Sequence, residues 1–170
     1  EDEYLGFQYS YYVPENYKSA DKVVLLLHPG YSTGRDFLVS TGIMDYADQY
    51  NFVCVSISQN SPLPGNYWSW FLKQNQTQTN VGEVSIIKQI NDKVINTLSL
   101  KETKNYLLGF SAGACMSLNM YVLFNLVNFT IINPIPPCLY ILFKCSIWWS
   151  CILLSGNDVV LLVSLASKSM

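Results

Sequence analysis

The 170-residue sequence predicts an α/β chain built on a doubly wound, mainly parallel sheet. Three observations lead there. Apolar runs of strand length alternate with helical patterns, and the inner runs are apolar at successive rather than alternate residues. A Gly-x-Ser-x-Gly pattern then joins the last of these runs to a helical one. A strand covered by helices on both faces has no polar face, and parallel strands need a crossover helix to bring the chain back.

Taken in order, FQYSYYVP (7–14) alternates aromatic and polar residues and stops at a proline, the pattern of a half-buried edge strand. KVVLLLH (22–28) is a continuous apolar run closed by Pro29-Gly30 and reads as a central strand. A helix is expected over Asp36 to Tyr50, and NFVCVSIS (51–58) follows as a third, buried strand. From Val84 to Leu98, Ile87, Ile90, Val94 and Leu98 recur at steps of three and four, which gives a helix one apolar face. KNYLLGF (104–110) is the fourth strand, and it leads through Ser111 into a helical pattern. In wound sheets of this kind, sites form at the carboxyl ends of the strands, where both His28 and Ser111 stand.

Composition excludes several functions. Ten basic and twelve acidic residues leave a net charge of −2 with no basic cluster, so nucleic acid is not an expected partner. Five cysteines show neither a C-x-x-C pair nor neighbouring histidines, which argues against zinc and leaves at least one thiol unpaired. The first residue is Glu1 and no charged-then-apolar leader precedes it, so any signal peptide is expected to be already removed or never present. Asn75-Gln76-Thr77 and Asn128-Phe129-Thr130 are glycosylation acceptors on a secretory route. Oligomeric state is not legible.

Charge divides the chain near residue 120. Residues 1–120 hold 8 basic and 11 acidic groups, whereas residues 121–170 hold only Lys144, Lys168 and Asp158. We therefore read 1–120 as the amino-terminal part of a domain and 121–170 as an apolar, atypical tail that completes or replaces the rest of it. Within the tail, NFTIINPI offers a further strand. The 17-residue run from Cys138 to Leu154 is broken by Lys144 and falls short of the roughly 20 residues a membrane-spanning helix needs.

GFSAG (109–113) carries the chemistry. Small residues two places either side of a serine let the chain turn tightly from strand to helix, which lifts the hydroxyl above the sheet and aims helix amides at a developing oxyanion. Ser111 is thus the candidate nucleophile and Ala112 one oxyanion donor. His28 ends the strand whose following loop supplies the second donor, and it is expected to position that loop rather than to take a proton. Pro29 has no N–H, so the donor falls to Gly30 or Tyr31. Trp68 and Trp70 in NYWSWF, with His28, are candidates for the substrate pocket, with plain core packing the equal alternative for the tryptophans, and Glu83 is assigned to helix initiation through the dipole.

With LLLHPGYSTGRDF, YADQYNFVCVSISQN, YWSWF, VGEVSIIKQI and LLGFSAGACMS in this order and spacing, residues 8–120 resemble the esterase family of polyhydroxybutyrate depolymerases and the related feruloyl and acetylxylan esterases. That resemblance implies an α/β-hydrolase fold and a secreted, extracellular serine esterase with an acyl-enzyme mechanism. It also implies Ser111 as nucleophile, no metal or other cofactor, a small-molecule or polymeric ester as substrate, and an Asp followed by a His downstream. This chain departs from the family at Pro29, where the family generally has glycine, and after Met120, where the likeness fades. Asp158, in LLSGNDVV, is the candidate acid. No histidine follows Ser111, so the fold is expected to be truncated after the serine turn and the activity impaired. Two alternatives from other classes are a catalytically inactive ligand-binding relative and a protein attached to a membrane through its tail.

Overall fold

Burial on both faces decides which strands form the centre of the sheet. In the structure, a computed structural model that describes residues 1–15, 17, 22–59, 65–69, 76–100, 103–124, 153–155 and 158–160, the three apolar runs become β3 (Lys22–Leu27), β4 (Val53–Ile57) and β5 (Lys104–Gly109). They run parallel, with β3 paired to β4 on one side and to β5 on the other. Two more strands, β1 (Asp2–Tyr4) and β2 (Phe7–Tyr12), extend the sheet antiparallel beyond β4, giving the order β1-β2-β4-β3-β5. The expected edge strand over 7–14 is therefore one place inside the edge, because β1 turns back through Leu5-Gly6 to pair with it.

Alternate residues of β3 enter different cores. Val23, Leu25 and Leu27 join Ile87, Ile90 and Met116 on one face, while Val24 and Leu26 join Phe37 and Ala47 on the other. Helix α3 (Glu83–Thr97) and α4 (Ala112–Phe124) cover the first face; α1 (Gly34–Ser40) and α2 (Ile43–Tyr50) cover the second. This is the double winding that strand–helix alternation implies. The single helix expected from Asp36 to Tyr50 is two, because Gly42 adopts the left-handed conformation (φ 65°) between them and breaks the ladder. Thr33 caps α1 by accepting from the Asp36 N–H at 3.1 Å.

The thiols of Cys54 and Cys115 are free. Burial pushes the Cys54 thiol up to about 12, so it is an apolar core residue rather than a nucleophile. No helix among the described residues is long and apolar enough to cross a membrane. In the tail, β6 (Leu153–Ser155) and β7 (Asp158–Val160) form an antiparallel pair. The proposed strand over NFTIINPI and most of the Cys138–Leu154 run lie outside the described residues.

Candidate active site

Ser111 follows Phe110 in the two-residue turn between the end of β5 at Gly109 and the start of α4 at Ala112, and its φ is +54°. A non-glycine residue in that region costs of order 1–3 kcal/mol and persists only where its surroundings fix it. Two close approaches fix it here. A Cβ added to Gly109 would stand 2.3 Å from the Gly113 oxygen, and one added to Gly113 would stand 1.9 Å from the Leu27 oxygen. Strand and helix therefore cross at a distance only glycines permit, and the turn cannot relax. The Gly113 N–H closes it onto the Phe110 oxygen at 2.9 Å, and the Phe110 N–H ties it to the Leu27 oxygen at 3.3 Å. Ser111 is partly exposed, and its carbonyl accepts from the N–H groups of Ala114 (3.0 Å) and Cys115 (3.2 Å). Ala112, as the first residue of α4, has an N–H with no acceptor inside the helix.

The second donor loop follows β3. Tyr31 also has a positive φ (59°), but its N–H donates to the Gly65 oxygen at 2.5 Å and so is taken. Of the two expected donors this leaves Gly30, whose N–H meets no acceptor among the described residues. The Tyr67 ring packs directly against Gly30, and the ring of Tyr31, 79% exposed, meets Tyr67 edge-on at 5.3 Å.

His28 is fully buried. Its Nε2 accepts from the Gln59 N–H at 3.0 Å and its Nδ1 lies 2.6 Å from the Pro29 oxygen, which places the ring proton on Nδ1. Both nitrogens are thereby committed to backbone, and neither is available to take a proton from Ser111. Burial holds the imidazole below its ordinary value of 6.5, against a smaller upward pull from the Pro29 carbonyl. A histidine pKa depressed on folding stabilises the native state fully above pH 6.5, and that contribution is lost as the pH falls below 6.5 through the folded-state value. With one histidine in the sequence, an NMR titration reads this directly. The expected midpoint is below 6.5, and a midpoint at or above that value contradicts the arrangement.

His28 and Trp68, both named for the substrate pocket, are fully buried and have no exposed surface. The Trp68 indole N–H donates to the His28 oxygen at 2.8 Å and the two rings lie 5.0 Å apart, so the pair forms the inner support of the loop. Trp70 lies outside the described residues. Asp158 is the first residue of β7, opposite Ser155 in register, and its side chain likewise lies outside them.

Two residues gain a larger part than sequence reasoning assigned. Glu83, only 9% exposed, accepts from the Gln59 side-chain amide (2.8 Å), the Ser69 N–H (2.7 Å) and the Ser69 hydroxyl (3.1 Å). Burial holds its pKa above the usual carboxylate value, against a smaller downward pull from these three donors. Gln59, which sequence reasoning passed over, joins Glu83 to His28. The available signal was a polar residue just past the carboxyl end of a wholly buried strand.

No protein-family profile matches the chain. Acetylxylan esterase A of Emericella nidulans is 27% identical over 106 residues, which cover 62% of this chain and 34% of that protein. Among solved structures, an acetyl xylan esterase from Aspergillus awamori superposes with a TM-score of 0.64 at 22% identity, over 75% of this chain and 45% of that one. The chain has the α/β-hydrolase fold. An S-formylglutathione hydrolase from Staphylococcus aureus superposes with a TM-score of 0.53 at 16% identity, over 74% of this chain and 50% of the other. The part of the α/β-hydrolase fold present here thus spans a third to a half of the length of these relatives.

Proposed function

We propose that the chain is a carboxylic ester hydrolase whose nucleophile is Ser111, acting through an acyl-enzyme. The observation that carries this reading is the strained serine at the strand-to-helix turn, with the first amide of α4 beside it, which has no backbone acceptor among the described residues. Attack by its Oγ on an ester carbonyl places the developing negative charge on the carbonyl oxygen. The Ala112 and Gly30 N–H groups are the donors for that charge. Within this class we place the chain with the polyhydroxybutyrate depolymerases, feruloyl esterases and acetylxylan esterases. The names of two relatives favour an acetylated polysaccharide as the substrate. An extracellular location goes with this reading and with the sequon at Asn75, whose Thr77 is exposed.

His28 does not supply the base, and residues 1–170 contain no other histidine. Serine hydroxyls are weak nucleophiles without a neighbouring base, and in one well-studied serine protease loss of the histidine lowers kcat by about 10⁶. A protein made of these residues alone is therefore a slow catalyst. Asp158 is the proposed acid. A fluorophosphonate tests the reading because it reports a nucleophilic serine without needing turnover. The expected adduct maps to Ser111; labelling at another residue, or none after prolonged exposure, counts against the proposal. Acetate release from acetylated xylan, compared with cleavage of feruloylated xylan and of polyester, then separates the substrate classes.

A further inference from the structure

A closed circuit of hydrogen bonds surrounds the loop that follows β3, and it passes through a buried carboxylate far along the sequence from that loop. The Trp68 indole holds the His28 carbonyl, and the adjacent Ser69 N–H donates to Glu83. The Glu83 carboxylate accepts from the Gln59 amide, the Gln59 N–H donates to His28 Nε2, and His28 Nδ1 reaches the Pro29 oxygen. The circuit therefore joins the ends of β3 and β4, the start of α3 and residues 65–69.

We infer that Glu83 is a positioning residue for the oxyanion loop: by gripping Gln59 and Ser69 it fixes His28 from both sides, and so sets where the Gly30 N–H stands relative to Ser111. This rests on the hydrolase reading above. Three observations support it. A buried carboxylate contributes little net stability against an apolar replacement of similar volume, so stability alone does not account for it. Its donors come from two different segments rather than from the first turn of α3, which is all that helix initiation requires. The held carbonyl is also at the elbow, since the His28 oxygen would lie 2.7 Å from a Cβ on Gly113. A shift at Gln59 is thus passed to the backbone that faces Ser111.

The experiment uses the full chain with ¹⁵N-labelled histidine, whose single imidazole reports its own tautomer, together with the rate of fluorophosphonate labelling. In the parent protein the ring is expected in the Nδ1–H form. In Glu83→Ala that form gives way to a mixture of tautomers, and labelling slows about tenfold or more, the scale on which small misplacements act. Glu83→Gln restores both readouts. Its amide oxygen still accepts from Ser69, and its NH₂ finds the Gln59 Oε1, which is buried with no partner among the described residues, once that amide turns over. Retention of the tautomer and labelling rate in a folded Glu83→Ala protein overturns the inference. So does a changed tautomer with an unchanged rate, or failure of Glu83→Gln to rescue. Should Glu83→Ala not fold, Gln59→Leu cuts the same link and the same two readouts decide. A parent protein that never labels defeats the hydrolase reading, while the imidazole signal still decides whether Glu83 holds His28.

Discussion

The Ser111→Ala protein is expected to take up no fluorophosphonate, whereas the parent carries one adduct on Ser111. The effect is all-or-none because the bond to phosphorus forms at one oxygen, and alanine has none there. Covalent capture is the better measurement than hydrolysis in this chain. Nucleophile and base act as a unit in serine hydrolases, so removing the serine costs less in rate where no base assists it. The elbow itself survives the change: alanine at φ +54° bears about the same backbone strain as serine, and the Ser111 hydrogen bonds that hold the turn come from its carbonyl. An unchanged melting curve should accompany the lost adduct. An adduct that persists in Ser111→Ala removes this residue from the chemistry.

Gly113→Ala is expected to damage the fold itself. The new methyl would stand 1.9 Å from the Leu27 oxygen and 2.5 Å from the Leu27 carbon, both of them backbone atoms in the central strand. Nothing at that contact is a flexible side-chain end, so either α4 moves off the sheet or β3 bends. Movement of α4 draws Met116 and Met120, both fully buried, out of the core. Overpacking of this kind costs about 1–3 kcal/mol and sometimes more. For a domain of this size about 3 kcal/mol corresponds to a fall in Tm of roughly 6–12 °C. A Gly113→Ala protein that melts within about 2 °C of the parent would show that the crossing is looser than described.

The two glycine contacts also show why the elbow was readable in advance. A serine flanked by glycines at fixed offsets, entered from an apolar run and left into a helix, encodes a local geometry, and local geometry is set by nearby residues. The buried strands 22–27 and 53–57 were legible for the same reason, since continuous apolar runs have one economical place in a wound sheet. The division of residues 36–50 into two helices was less legible, because a glycine in a helical pattern breaks it only when the flanking turns pack in different directions. The early strand was misplaced at the edge because its partner, Asp2–Tyr4, is three residues long and carries no alternating pattern.

The sequence by itself determined the parallel strands of the sheet, their winding, and the presence of a serine on the turn between Gly109 and Gly113, all of which follow from hydrophobic period and backbone sterics. Tertiary structure alone decided which polar groups are free to act. The Tyr31 amide is claimed by Gly65 and the His28 ring by Gln59 and Pro29, while Glu83 is drawn to Gln59 and Ser69. Most of those partners lie tens of residues away and arrive only when the chain packs. A polar group's reactivity depends on what remains unbonded after that packing, a property of spatial neighbours that no local pattern contains.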